Sequence, residues 1–204
     1  MPKLTLTSFL TLDGVMQAPG GPREDPSGNF QHGGWLVPQF SSDMGLVMLD
    51  IFSRASAFLM GRGTYDIFSV HWPRITDPSD LVAAKFNSLP KFVASNSQSR
   101  FDWAHTRHVA DIVRDIESIK HQLDGELQVH GSCGLAQTLI EHNLIEEYRL
   151  FIVPVALGTG KRLFNSFSSP HGLKLMGARS MANGVTYNVY RPTQEFRTGS
   201  FHLD

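Results

Sequence analysis

Ala57-Phe58-Leu59-Met60-Gly61-Arg62-Gly63-Thr64-Tyr65 is the stretch that decides how this chain is read. An apolar run reaches a glycine, then an arginine and a threonine, then residues that suit a helix. The pattern predicts a buried strand over Ala57–Met60, a tight turn, and a helix over Arg62–Val70. Such a junction suits an anionic ligand. Glycine lets the backbone approach closely, and the free N–H groups of a helix start donate to phosphate oxygens. Arginine adds a forked cation and threonine a hydroxyl. A second unit of similar build is Leu127-Gln128-Val129-His130-Gly131-Ser132-Cys133-Gly134. The two units together predict one extended ligand with two phosphate attachment points, such as a dinucleotide.

Outward from these units the chain reads as strands alternating with helices. Lys3–Leu12 predicts a first strand, turned by Asp13-Gly14. Gln17–Gly34, rich in Gly and Pro, predicts a long loop, and loops of that length are commonly binding loops or lids. Ser42–Ser53 predicts a helix with Leu46, Leu49 and Phe52 on one face. Trp72–Ser79 reads as a Pro-rich loop and Lys91–Ala94 as a short strand, with Val109 ending another. Ile112, Ile116, Ile119 and Leu123 give a helical stripe over Asp111–Leu123, with Gly125 as its C-cap. Then follow a strand at Leu127–His130, a helix at Gly134–His142 with Leu135 and Leu139 inward, and a strand at Glu147–Val155. Asn183-Gly184 marks a hairpin between Leu173–Met181 and Val185–Arg191. The whole predicts one α/β domain over residues 1–191 and a tail over 192–204, with a mostly parallel sheet closed by an antiparallel hairpin. Ligands of such sheets bind at the carboxyl ends of strands, where both glycine units fall.

Composition narrows the function. The chain has 204 residues, 18% charged, and a formal net charge of -1. With no basic excess, neither nucleic acid nor an anionic membrane is the expected partner; a small molecule is. Its single cysteine, Cys133, excludes an internal disulfide and a CxxC zinc site. His32, His71 and His130 do not have metal-ligand spacing, so no metal is expected. No apolar run is long enough to span a bilayer, and the N-terminus reads as a strand, so the cytoplasm is the expected location.

Of the remaining candidates, Ser95-Asn96-Ser97 with Arg100 follows a strand and suits a ribose or its phosphate. Asp13 is the first candidate for a catalytic carboxylate, able to orient a substrate or shuttle a proton; the competing reading is an Asx-type turn. Asp43 is the second, and also fits a helix-dipole role. Cys133 at a helix start reads as a packed small residue. There is no GxSxG elbow and no HExxH.

The set Leu12-Asp13-Gly14, Leu59 to Tyr65, Val129-His130-Gly131-Ser132 and Glu146-Glu147-Tyr148-Arg149-Leu150 with Pro154 to Gly160 resembles the dihydrofolate-reductase-like superfamily. Within it, the chain looks like the branch containing the reductase domain of riboflavin-biosynthesis deaminase–reductases. The resemblance covers about Lys3 to Arg191. It implies a three-layer fold with about eight strands, NADPH as cofactor, hydride transfer as chemistry, and a homodimer. By analogy Gly61, Arg62 and Thr64 would hold the pyrophosphate side, and Ser95 and Asn96 would border the adenosine ribose. Gly131, Ser132, Gly134 and Leu135 would close over the phosphates and nicotinamide ribose. Backbone at Ser8 and Phe9 would meet the carboxamide.

The chain departs from riboflavin reductases at three places. Val15 stands where a lysine or arginine follows their Asp-Gly. Thr64-Tyr65-Asp66-Ile67-Phe68 replaces their T-V-x-x-D-D-P run. His130 stands where they often carry an acidic residue. Those family residues help bind a ribose-phosphate substrate. The expected function is therefore an NADPH-dependent reductase resembling 5-amino-6-(5-phosphoribosylamino)uracil reductase, acting on a small heterocyclic or sugar-like substrate. A dihydrofolate or pterin-type reductase and a non-catalytic NADPH-binding module stay open as alternatives.

Overall fold

β1 (Leu4–Thr11) runs through the interior of an eight-stranded sheet ordered β4-β3-β2-β5-β1-β6-β8-β7. The computed structural model describes residues 2–97, 100–165, 170–193 and 195–201. From β1 the chain forms α1 (Ser42–Ser53), β2 (Ala55–Gly61), α2 (Arg62–His71), α3 (Leu81–Ser88), β3 (Lys91–Ala94) and β4 (Thr106–Val109). It returns through α4 (Ile112–Lys120) to lay β5 (Glu126–Val129) between β2 and β1. α5 (Cys133–Glu141) and β6 (Glu147–Val153) follow, and β7 (Leu173–Ser180) with β8 (Thr186–Pro192) closes the edge. β1 to β6 pair in parallel; β8 is antiparallel to both β6 and β7.

The period-two alternation of β2 makes the layers. Ala57 and Leu59 are buried on the face carrying α4 and α5, with Ile112, Ile116, Leu135 and Leu139. Phe58 and Met60 are buried on the opposite face, against Phe52 of α1 and Phe86 of α3. This is the three-layer dihydrofolate-reductase-like arrangement.

The structure corrects several local expectations. The core stripe of α1 is Met44, Val47 and Ile51, with Phe52. Leu46 is 61% exposed and Leu49 lies at the edge of a cavity. The helix is apolar on more than one face, so spacing alone does not say which face enters the core. Gly125 is not a C-cap: α4 ends at Lys120 with His121 as cap. A Cβ on Gly125 would stand 2.6 Å from Ser56 Oγ and 2.8 Å from Arg54 O, so close strand approach requires this glycine. α3 begins two residues after the expected Pro-rich loop; its N-cap Asp80 accepts from Ala83 N at 2.9 Å. The Gln17–Gly34 loop is pinned in place. Gln17 donates to the carbonyls of Asp25 (3.0 Å) and Ser27 (2.9 Å), and Trp35 Nε1 donates to Gln17 O at 2.8 Å.

Candidate active site

Strand lengths open the site. β5 pairs with β1 and β2 only as far as Val129, opposite Leu6 and Leu59. β1 runs on to Thr11 and β2 to Gly61. Beyond Val129 the sheet therefore splits, and His130-Gly131-Ser132 turns across the gap. A cavity of about 1820 Å³ occupies this end. It is lined by Thr7, Ser8 and Phe9 of β1, by Gly63 and Thr64 of α2, and by His130 to Gly134. The pinned loop from Gln17 onward forms another wall.

Two helix starts face this space. α2 has Gly61 as N-cap and α5 has Ser132, and neither cap supplies a side-chain hydrogen bond. The amide ends of both helices thus carry partial positive charge toward one cavity. The two junctions also lock together. A Cβ on Gly61 would collide with Ser132 Oγ, and one on Gly131 would stand 2.9 Å from Thr64 Oγ1. Gly131 has φ 132°, which disfavours any side chain there, and the Gly131–Ser132 peptide is cis. Thr7 Oγ1 is buried at the cavity with no hydrogen-bond partner among the described residues.

His130 lies under the site. Its ring stacks on Phe52, centroids 4.7 Å apart and planes at 13°, and burial pushes its imidazole down to about 3. Gln128 Nε2 donates to Ile51 O (2.7 Å) and Glu126 Oε2 (2.8 Å). Gln128 Oε1 is therefore the acceptor in the 3.1 Å contact with His130 Nε2. This assigns the proton to Nε2 and leaves Nδ1 an acceptor. Cys133 Sγ donates to Arg162 O at 3.3 Å, and burial pushes its thiol up; it is a packed thiol, not a nucleophile.

The structure brings Ser8, Phe9, Thr64, Gly131, Ser132 and Gly134 to the cavity. Gly61 sits behind the wall against Ser132. Arg62 lines a neighbouring cleft of about 910 Å³, where its Nε donates to Asp66 Oδ1 at 2.7 Å. Ser95 and Asn96 follow β3 outside the cavity lining; Ser95 Oγ donates to Ser97 O at 3.1 Å. Leu135 is turned into the core.

Neither candidate catalytic carboxylate lines the cavity. Asp13 takes a hydrogen bond from Thr11 Oγ1 at 2.6 Å and from the amides of Leu157 (3.1 Å) and Gly158 (2.8 Å). Those bonds, Thr11 first, hold its carboxyl well below the usual aspartate range. Arg162 Nη2 adds a contact at 3.2 Å. Asp13 is a latch between the first turn and the 157–162 loop, and it stays ionised. Asp43 is in the first turn of α1, 3.8 Å from Arg179 Nη2. It fits the dipole role.

The residues that sequence reading missed are apolar. Met48, Leu49 and Phe52 of α1, Trp72 after α2, and Val82 and Phe86 of α3 wall the cavity. Their only signal is that α1 carries more apolar residues than one core face needs. Among the described residues, no group of three or more His, Cys, Asp or Glu side chains could hold a metal ion, and no helix is long and apolar enough to cross a membrane.

The comparisons agree with this architecture. Residues 2–187 match the RibD C-terminal domain family, and the chain belongs to that family. The Bacillus subtilis (strain 168) protein YyaP, itself uncharacterised, is 26% identical over 190 residues, covering 92% of this chain and 94% of its own length. A protein from Shewanella sp. PV-4 that carries a provisional riboflavin-biosynthesis name superposes with a TM-score of 0.68 at 22% identity, covering 94% of this chain and 99% of that one. Dihydrofolate reductase from Enterococcus faecalis, complexed with NADP(H) and RAB-propyl, superposes with a TM-score of 0.60 at 10% identity, covering 94% of this chain and 97% of that one.

Proposed function

We propose that this protein is an NADPH-dependent reductase of the riboflavin-reductase type that transfers a hydride to a small substrate. The observation that carries the reading is the pair of uncapped helix starts, α2 and α5, facing one cavity. The amides of Gly63 and Thr64 on one side, and of Cys133 and Gly134 on the other, would receive the pyrophosphate. Arg62 and the Ser95-Asn96 turn lie outward of α2 and β3, where the adenosine ribose would leave the cavity. The β1 backbone at Ser8 and Phe9 would meet the nicotinamide carboxamide. The orphaned Thr7 hydroxyl beside it fits a polar ligand group, because a buried hydroxyl without a partner is costly.

When bound, the cofactor supplies a hydride at the nicotinamide ring. The chain's own residues align donor and acceptor and exclude water. The loop pinned by Gln17 roofs the space, and His130, neutral at physiological pH, offers Nδ1 as an acceptor. Water is the proton source in this reading, since Asp13 stays ionised and away from the cavity. The cytoplasm, where NADPH is held reduced, is the proposed location. A second copy of this chain is the proposed partner, covering the exposed β7 edge.

Titration with NADPH and NADH, followed by tryptophan fluorescence, tests the reading. Saturable binding with preference for NADPH is expected. Thr64→Val should weaken it about tenfold, the loss of one good hydrogen bond, and Arg62→Ala should narrow the preference over NADH. Absence of saturable binding to either nucleotide overturns the reading.

A further inference from the structure

The cavity is larger than its phosphate-facing end, and the two ends differ in chemistry. Besides the helix starts it is walled by Met48, Leu49, Phe52, Phe68, Trp72 and Phe86, with Phe52 and Phe86 each only 2% exposed. Flat rings dominate. Trp72 stacks on Phe86 with centroids 4.7 Å apart and planes at 28°, and His130 lies parallel to Phe52. Met48, Leu49 and Phe52 are all on α1, and neither acidic residue of that helix, Asp43 or Asp50, lines the cavity.

The charged residues of the lining are already engaged. Asp25 pairs with Lys161 at 2.6 Å and Arg162 with Asp13 at 3.2 Å. Asp66 pairs with Arg62, and Asp80 caps α3. Glu24 accepts from the amides of Gly20 (2.6 Å) and Gly21 (3.1 Å). Lys161 and Arg162 follow Thr159-Gly160 beside Cys133, away from the aromatic lobe; Cys133 Sγ reaches Arg162 O. A phosphate or carboxylate entering the aromatic lobe would lose its water and gain no cation among the described residues. The cofactor pyrophosphate would use the helix-start amides; the donors then left are neutral, the Thr7 hydroxyl and the Trp72 Nε1–H, neither with a hydrogen-bond partner among the described residues.

We infer that the acceptor reduced here is a neutral, flat, conjugated carbonyl or imine compound without phosphate or carboxylate, seated between the α1 face and Trp72–Phe86. This rests on the NADPH reading above. The step balances with NADPH as reductant. A C–H bond of the dihydronicotinamide breaks and a new C–H bond forms at the acceptor carbon. The π pair moves to the oxygen or nitrogen, which takes a proton from water, and NADPH leaves as NADP+. The lobe supplies apolar contact and ring stacking, which favour flat neutral solutes over charged ones.

A matched pair of probes tests this: 2-naphthaldehyde and 2-naphthyl phosphate, alike in ring, the first neutral and the second anionic. Each is titrated against the protein by fluorescence quenching, with Trp72→Phe identifying the reporting tryptophan, first without and then with NADPH. The aldehyde is expected to bind at least about tenfold more tightly than the phosphate, a difference of about 1.4 kcal/mol, and to be reduced when NADPH is present. Leu49 is 37% exposed at the rim, so Leu49→Lys should fold and shift the preference toward the phosphate. With NADP+ filling the phosphate end, equal or tighter binding of 2-naphthyl phosphate to the unaltered protein overturns the inference, as does a preference unmoved by Leu49→Lys. Failure of NADPH to bind is a separate result that overturns the cofactor reading; without nucleotide the helix-start amides are open to 2-naphthyl phosphate, so there the lobe is read from saturable aldehyde binding and its loss in Leu49→Lys.

Discussion

Ser132 stands against the bare Cα of Gly61, so closely that a methyl group on the glycine would overlap the serine hydroxyl. The contact joins the end of β2 to the start of α5 and sets how far apart the two helix starts stand. Gly61→Ala should force the junctions apart and cost about 1–3 kcal/mol, the usual range for overpacking a tight site. Urea denaturation reads the stability. NADPH titration of the folded variant should show weakened binding, because the amides of α2 and α5 would no longer converge.

Asp13 gives a prediction in pH. Its carboxylate is more acidic in the folded chain than the ordinary value of 3.8, chiefly through Thr11 and the amides of Leu157 and Gly158. A depressed carboxylate contributes fully above its unfolded pKa and loses that contribution as pH falls through the folded one. Asp13→Asn should cost about 1–2 kcal/mol near neutrality, in line with hydrogen bonds to a charged group. The gap between the two proteins should stay level above about pH 5 and shrink below about pH 4. A gap that persists unchanged into acid would show that the ionised form is not what the turn uses.

Much of the fold is legible because local signals agree. Lys91–Ala94 is a strand as read, and Ser42–Ser53 a helix as read. Asn183-Gly184 does form the hairpin turn, with Gly184 at φ 82°. The site was half legible for a physical reason. Glycines and hydroxyls at strand ends advertise anion binding in short motifs, and Thr64, Ser132 and Gly134, picked out that way, line the cavity. The aromatic lobe comes from Phe52, Trp72 and Phe86, which are distant in sequence and look like core residues. Asp13 misled because a turn carboxylate has the same sequence signature whether it faces a ligand or, as here, two backbone amides across the 157–158 loop. The short α3 escaped because its start, Asp80, lies directly behind a Pro-rich segment.

On β6, beside Thr7 of β1, Arg149 is 3% exposed. It donates to Glu126 at 2.7 Å and to Glu147 at 2.6 Å. Glu147 also takes Arg191 at 3.0 Å. Burial works against the charge of both carboxyls, but the guanidinium outweighs it and both are held below the usual glutamate range. Arg149→Leu would leave two poorly solvated carboxylates without their shared guanidinium, Glu126 keeping Arg54 at 3.3 Å and Glu147 keeping Arg191. The expected cost is about 3–5 kcal/mol, typical of breaking a buried pair from one side. The loss should be smaller at acid pH, where protonation of Glu126 and Glu147 relieves the repulsion. Denaturation at pH 7 and pH 4 measures both.

The β7 edge makes the last prediction. Leu175 is 51% and Met176 46% exposed on a strand that pairs only with β8 among the described residues. An edge strand offers unpaired backbone groups as well as side chains, and apolar residues there invite association. If a second copy covers this edge, charge at Leu175 should separate the copies without entering either core. Light scattering after size exclusion is expected to give a dimer for the unaltered chain and a monomer for Leu175→Asp. Circular dichroism should be unchanged, since Leu175 is not part of a buried cluster. A Leu175→Asp protein that remains dimeric would place the interface elsewhere, and an unaltered chain that is monomeric at micromolar concentration would remove the second copy from the proposal.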